Sequence, residues 1–306
     1  MDDLLLAIPE LKDASKLELI HKGYSSDSKY IAYDQGGQPL YLLRTYALDE
    51  EARKHEEFQV LEWLQEQHVC SSKPIAMGTL EELERGYMLL SYIDGVDAID
   101  ELPRLSREVQ YEIGRQAGAE LRKIHRIKAP AEIDSWESRL IAKYRRYQAG
   151  YEQSGIAITF ADKLFSFIEG NMGLLKGRPN LLQHDDFHTG NLIVKNGRLA
   201  GVIDVNRFDW GDPVHEFLKA GFFSVEASIP FAVGQIDGYY EGALIEDSFW
   251  ALYALYIAMT ILSSIVWIVR VRPEELEGML GRVQKVWDDH DGFDRLAPKW
   301  YTEYER

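Results

Sequence analysis

Residues 181–213 read LLQHDDFHTGNLIVKNGRLAGVIDVNRFDWGDP. Within them His184, Asp186 and Asn191 stand at the spacing H-x-D-x-x-x-x-N. Two short apolar runs follow, Leu192-Ile193-Val194 and Leu199 to Ile203, joined through Asn196-Gly197. An Asn-Gly pair between apolar runs is the favoured two-residue hairpin turn, because both positions need positive φ. A hairpin returns the chain to where it began. The sequence therefore predicts Asp204, at the end of the second run, beside Asn191 at the start of the first.

That spacing is the one found in kinase catalytic loops. Phosphoryl transfer is mainly positioning and charge neutralisation, so its site needs hard oxygen ligands for Mg2+ bridging the phosphates. Asn191 and Asp204 offer such oxygens from two directions, as metal ligands. Asp186 is then the catalytic carboxylate, orienting an acceptor hydroxyl and taking its proton. A lone H-x-D is common in loops and Asp-rich turns often cap helices. The hairpin to Asp204, followed by Gly211-Asp212-Pro213, lifts this island above those readings. His184 reads as a histidine that anchors the loop, and His188 and His215 as polar residues satisfied within their surroundings.

Outward from the island the texture differs on its two sides. Towards the N-terminus, KYIAY and PLYLLRTY are rich in β-branched and aromatic residues and flank the turn Asp34-Gln35-Gly36-Gly37, which predicts a hairpin. Leu17 to Ile20 reads as a further strand, and Ile75–Thr79 with Gly86–Tyr92 as a second pair. Between them, residues 49–68 carry Phe58, Leu61, Trp63 and Leu64 among charges without Gly or Pro, a helix pattern. After Asp94-Gly95 helices dominate: 106–127, with Ser106 as N-cap, then 136–176, then the rest of the chain beyond the island. The fold class expected is α+β in two lobes, a small antiparallel-sheet lobe over residues 1–93 and a larger, mostly helical lobe over 94–306.

The 306 residues are 46% apolar and 27% charged, the balance of an ordinary globular protein long enough for two cores. A single cysteine, Cys70, excludes an internal disulfide and suits a reducing compartment. The N-terminal MDDLLLAIPELKD lacks the basic-then-apolar pattern of a signal peptide, so a cytoplasmic location is expected. Residues 248–269 hold no charge and are long enough to span a bilayer. With their tyrosines, serines and threonine they read instead as a helix buried on all faces, and no membrane association is expected. A net charge of −16 argues against nucleic acid as a partner. Residues 201–306 carry eighteen acids against nine bases. That excess serves solubility, or it draws cationic substrates.

The island resembles the aminoglycoside phosphotransferase and choline kinase-like superfamily, whose usual form is close to H-G-D-x-H-x-G-N, then I-D, then G-D-P. Here it stands as His184-Asp185-Asp186-Phe187-His188-Thr189-Gly190-Asn191, Ile203-Asp204 and Gly211-Asp212-Pro213. The resemblance implies a protein-kinase-like bilobal fold and transfer of the γ-phosphate of ATP or GTP to a small-molecule hydroxyl, with Mg2+. It extends over nearly the whole chain. Gly23, Ser25 and Ser26 fall where the superfamily folds a loop over the nucleotide. Arg44 falls where a strand lysine meets the α- and β-phosphates, and Glu57 where a helix glutamate pairs with that cation. The hinge falls at Leu89–Gly95, with backbone groups of Ser91 and Ile93 placed to read the nucleobase. GAELRKIH, Gly118 to His125, resembles the helix ending in L-x-x-[IL]-H. Three departures stand out: a glycine-poor nucleotide loop, arginine for lysine at 44, and Val205-Asn206 after Asp204 in place of Phe-Gly. With no Ala-Pro-Glu segment following, the chain does not resemble a protein kinase.

Two other functions can be drawn on the same residues. His184, Asp185, Asp186, His188 and His215 could form the metal cluster of a metallohydrolase, although no helical H-x-x-x-H pair is present. The glycine-poor loop and Arg44 would also suit a nucleotide-binding module without catalysis. Among kinase acceptors, the acidic second lobe favours an aminoglycoside or another cationic antibiotic, and hence a role in antibiotic resistance. Asp209, Glu216, Asp237, Glu241 and Asp289 are candidates to neutralise its charge. Trp210, Phe222, Phe223, Tyr239 and Tyr240 are candidates to stack on a ring. Choline, amino sugars, homoserine and macrolides remain alternatives.

Overall fold

The strand-rich beginning of the chain and the helices that follow it fold as two units, Met1–Val96 with Asn191–Asn206, and Asp97–Gly190 with Arg207–Arg306. The structure is a computed structural model and describes residues 2–21 and 26–305. The fold is protein-kinase-like and α+β.

In the first unit the alternating and aromatic-rich runs form strands β1 (Lys16–Ile20), β2 (Ser28–Tyr33), β3 (Pro39–Ala47), β4 (Pro74–Leu80) and β5 (Arg85–Ser91). They make one antiparallel sheet in the order β1-β2-β3-β5-β4. At the β2–β3 turn the Gln38 N–H donates to the Asp34 carboxylate at 2.8 Å, and Gly37 adopts φ 76°, which a side chain would oppose. The register sets Lys29 opposite Arg44, so both side chains leave the same face of the sheet. Leu17, Ala32, Leu43 and Leu89 pack a buried core with Ile8 and Leu11. Helix α1 (Glu51–Glu66) buries Val60, Leu61 and Leu64.

The second part of this unit is a hairpin. The expected apolar runs are β7 (Leu192–Lys195) and β8 (Arg198–Val202), numbered after β6 (Leu181–Gln183) of the other unit. Asn196 and Gly197 have φ of 52° and 70°, the pair of left-handed residues that such a turn requires.

The second unit is helical. Helix α2 (Arg107–Ile124) starts at Ser106, whose side-chain oxygen accepts the Val109 N–H. It crosses α5 (Ile229–Tyr239) with the two backbones touching. A Cβ added at Gly118 would stand 2.1 Å from the Gln235 carbonyl oxygen, and one at Gly234 would stand 2.2 Å from that of Tyr111. Four glycines, Gly114, Gly118, Gly234 and Gly238, make this approach sterically allowed. The helical stretch expected over 136–176 is two helices, α3 (Trp136–Gln153) and α4 (Ala161–Asn171). The break falls where Gly155 takes φ 71°, which ends a right-handed helix.

Helix α6 (Asp247–Val271) contains the uncharged stretch. It is long and apolar enough to cross a membrane, but 72% of its apolar window is buried inside the protein, against α3, α4 and α7 (Leu276–Asp289) among others. A strand the sequence did not signal, β9 (Asp209–Gly211), pairs antiparallel with β6 and sets Trp210 opposite Leu182.

Candidate active site

The loop His184–Gly190 leaves the end of β6 under tight control. Asp185 has φ 58°, a left-handed conformation that needs outside support. Glu216, 1% exposed on the short helical turn Pro213–Glu216, supplies it. Its carboxylate accepts the backbone N–H groups of Asp185 at 3.2 Å and Phe187 at 3.4 Å. His125, just past the end of α2, lies 3.8 Å from the same carboxylate, and its Nδ1 lies 2.9 Å from the Tyr239 hydroxyl. Burial would raise the Glu216 carboxyl, but His125, His184 and the Asp185 N–H outweigh it and hold the group ionised.

Asp212, fully buried, anchors the same region. It accepts from the Val214 N–H at 2.9 Å, the Arg178 guanidinium at 2.9 Å and the Tyr256 hydroxyl at 2.6 Å. The Gln183 amide donates to its carbonyl at 2.6 Å. His184 is 2% exposed, and its Nδ1 accepts the Asp186 N–H at 3.3 Å.

Asp186 sits in this frame with the Lys219 ammonium 2.9 Å from its Oδ1 and His188 Nε2 at 3.6 Å. Burial alone would raise its carboxyl. The neighbouring His188 and Lys219 prevail and hold it well below the usual carboxylate range. Asp185 next to it behaves oppositely: burial pushes it up to about 6 against the pull of Lys143 and Lys219. Both aspartates line a cavity of about 320 Å3 whose walls come from α3, α6, α7 and the segment around Phe223.

In the first unit the hairpin brings the other two expected site residues together: the Ile203 N–H donates to the Asn191 carbonyl at 3.0 Å. Asp204 has φ 63°, and its Oδ1 is buried with no hydrogen-bond partner among the described residues. Its Oδ2 lies 3.6 Å from Lys29 Nζ. An orphaned buried carboxylate oxygen at the end of this hairpin is a hard donor of the kind a divalent cation takes. Among the described residues, no group of three or more His, Cys, Asp or Glu side chains is arranged to hold a metal ion, so the five residues of the hydrolase reading do not converge.

Arg44 and Glu57 form the ion pair expected of them, and both are buried. The sequence did not reveal their company. Asp27 also takes the Arg44 guanidinium, with Nε at 2.8 Å, and the Lys54 ammonium at 2.7 Å. Two cations and two carboxylates thus close a buried cluster. Burial pushes the Asp27 carboxyl up, and Arg44 and Lys54 more than reverse it. Of the expected nucleotide loop, Gly23 and Ser25 lie outside the described residues. Ser26 donates to Glu50 at 2.9 Å. At the hinge the Ser91 N–H is engaged with the Lys73 carbonyl at 2.9 Å. Neither backbone group of Ile93 has a backbone partner among the described residues.

The acids expected to face a cationic acceptor are committed elsewhere. Glu216 clamps the loop, Asp209 pairs with Arg139 at 2.8 Å, and Glu241 pairs with Arg122. Asp237 accepts from the hydroxyls of Tyr111 and Tyr301 at 2.8 and 2.7 Å. None of these four, nor Asp289, lines the cavity at Asp186. Of the five aromatic candidates only Phe223 does so; Trp210 and Phe222 are core. The charged side chains around these candidate positions that sequence reading missed are Lys219, three residues after Glu216, together with Lys143, Arg207, Asp27 and Lys54. Their one signal was a basic residue in or just after the island, as with Arg207 and Lys219.

Solved structures share this fold at low identity. The ADP-bound aminoglycoside phosphotransferase APH(2'')-Ib is 16% identical, with 98% of this chain and 97% of that chain covered and a TM-score of 0.65. The gentamicin complex of APH(2'')-IIa is 17% identical over 93% and 94%, with a TM-score of 0.66. The GDP complex of aminoglycoside 2'-phosphotransferase-IIIa is 12% identical over 94% and 97%, with a TM-score of 0.68. No protein of curated function matches the sequence. The family model for the phosphotransferase enzyme family, APH, matches residues 16–250, from the first strand to the start of α6, and the chain belongs to that family.

Proposed function

We propose that this protein transfers the γ-phosphate of ATP or GTP to a hydroxyl of a small molecule, with Asp186 as the residue that orients and deprotonates the acceptor. The observation that carries the reading is Asp186 itself, an ionised carboxylate on the wall of a cavity large enough for a small molecule. A carboxylate held this far below its usual range is a weak base. It suits a loose transition state, in which the hydroxyl proton is released late and alignment matters more than basicity. Lys219 fixes the carboxylate in one orientation, and Glu216 fixes the loop that bears it.

Asn191 and Asp204 would hold Mg2+, which neutralises charge on the phosphates when bound. For the nucleotide, backbone groups of Ser91 and Ile93 would meet the base, and Gly23, Ser25 and Ser26 would cover the phosphates. The Arg44–Glu57 pair would hold that face of the sheet rigid.

The aminoglycoside named in a similar structure motivates a cationic acceptor, but the acids that would neutralise one are not at Asp186. The acceptor is therefore proposed here only as a hydroxyl-bearing small molecule. Nucleotide turnover with ATP and GTP across an acceptor panel, with and without a divalent-metal chelator, tests the reading. Acceptor-stimulated turnover that chelator abolishes is the expected result. Stimulation that persists in excess chelator would contradict it.

A further inference from the structure

The cavity at Asp186 has a charge balance that the composition of the chain does not suggest. Residues 201–306 are strongly acidic, yet the cavity is lined by four cations, Lys143, Arg207, Lys219 and Arg282, and by only three acids. Two of those acids are already neutralised. Asp186 is paired with Lys219 at 2.9 Å, and Glu275 with Arg272 at 3.1 Å. The third is Asp185, which burial raises to about 6 against the pull of Lys143 and Lys219, so it is mostly ionised at neutral pH and offsets part of that positive charge.

The cations divide differently. Arg282 forms a two-pronged pair with Glu226, both contacts at 2.8 Å. Lys143 and Arg207, by contrast, have no carboxylate within ion-pair distance among the described residues. A ligand entering here meets two cations without an ion-pair partner, Lys143 and Arg207, against one unpaired carboxylate, Asp185, a net positive balance.

The rest of the wall is apolar and aromatic. Tyr144, Tyr147, Phe223, Met259 and Trp267 contribute to it. Trp267 is 44% exposed on a helix whose other large side chains are mostly buried, so its ring faces open space at this cavity. Lys219 and Arg282 both lie over the Phe223 ring, at 5.4 and 5.1 Å, which spreads positive charge across that face. Apolar walls with a few placed charges describe a small-molecule site in general. The sign of those charges selects the ligand.

We infer that the acceptor is a hydroxylated molecule carrying an anionic group, such as a carboxylate, on an apolar or aromatic body, with Lys143 and Arg207 receiving the anion and Asp186 the hydroxyl. This rests on the reading of the cavity as the acceptor site of the phosphotransfer proposed above. A polycation is disfavoured because it would set ammonium groups against Lys143 and Arg207 with only one unpaired carboxylate, Asp185, to receive them.

The test uses the full chain and three isosteric probes, 4-(hydroxymethyl)phenylacetate, 4-(hydroxymethyl)phenylacetamide and 4-(hydroxymethyl)phenethylamine, with gentamicin as a polycation. Binding is measured by calorimetry at fixed ionic strength, and transfer from ATP and GTP by phosphorus NMR. The anion should bind best and the amine worst, separated by roughly tenfold, the scale of two partly exposed ion pairs. Combining Lys143→Gln with Arg207→Gln should shrink that separation to about twofold, with an unchanged circular dichroism spectrum confirming the fold.

Equal or tighter binding of the amine or gentamicin would overturn the inference, as would failure of all three isosteres to bind at millimolar concentration. So would a double variant that weakens nucleotide binding and leaves the probe order intact, because the two cations would then serve the nucleotide. A phosphate ester formed only on the amine or on gentamicin would sink the inference and leave phosphotransfer standing. Anion-selective binding with no ester from either nucleotide would leave an anion site at Lys143 and Arg207 standing and overturn its reading as an acceptor site.

Discussion

The Lys219 ammonium lies 2.9 Å from Oδ1 of Asp186, across a gap of more than thirty residues in sequence. Asp186 follows β6, while Lys219 comes three residues after the buried Glu216 that clamps the Asp186 loop. One segment therefore fixes both the position of the Asp186 carboxylate and its ionisation.

Lys219→Met should separate those two effects. Without the ammonium, the Asp186 carboxyl rises towards its ordinary range, because the raising effect of burial loses one of its main opponents, His188 being the other. The acid limb of the kcat/KM profile should move to higher pH, so activity is lost earlier on acidification. The plateau should fall by about ten- to hundredfold, the scale of misplaced reacting groups. An acid limb of the Lys219→Met variant that coincides with the wild-type limb down to the lowest pH at which both remain folded would show that Lys219 does not govern this carboxylate.

Asp185 makes an opposite prediction. Its folded-state pKa is raised to about 6 from an unfolded value near 3.8. Between those values the folded state binds more protons than the unfolded one, so this group's contribution to stability falls as pH rises. Asp185→Asn keeps a residue that tolerates positive φ and removes the ionisation. The variant should be more stable than wild type by about 1–2 kcal/mol at about pH 8 and no more stable at about pH 4. Urea unfolding at both pH values reads the difference.

The close crossing of α2 and α5 is testable by a single methyl group. Gly118→Ala would set Cβ 2.1 Å from the Gln235 carbonyl oxygen, which cannot withdraw without moving α5. We expect a loss of about 3 kcal/mol or more in urea unfolding. Gly278→Ala, on α7 with nothing within 4 Å, is the control and should be neutral or stabilising by up to about 1 kcal/mol.

Local signals in the sequence carried a large part of this structure. Asn196-Gly197 named its own turn, Ser106 its own helix start, and the H-x-D-x-x-x-x-N spacing its own loop. The uncharged run at 248–269 was expected to be a helix buried on all faces, and it is a helix with 72% of its apolar window buried, Trp267 being the large side chain that reaches open space. Bulk charge carried less. Eighteen acids in residues 201–306 were open to two readings, solubility or a surface that draws cations. A count does not say which way a side chain faces, and Glu216, Asp212 and Asp237 turn inward to N–H and hydroxyl donors. The Asp27–Lys54–Arg44–Glu57 cluster was half legible: a family pattern marked Arg44 and Glu57, but Asp27 and Lys54 join only through folding. Strand β9 is three residues long and owes its existence to its partner β6, so no periodicity announced it.

The most direct test of the phosphotransfer reading follows one phosphorus atom. Wild-type protein, Asp186→Asn and Asp204→Ala are each incubated with Mg2+ and ATP or GTP and an acceptor that stimulates turnover, and phosphorus NMR tracks the γ-phosphate. A new phosphate monoester is expected with the wild-type chain. Asp186→Asn should form it at a rate at least about a hundredfold lower with nearly unchanged nucleotide affinity, and Asp204→Ala should form none. An ester formed by Asp186→Asn within about threefold of the wild-type rate would contradict the assignment of Asp186 as the catalytic carboxylate.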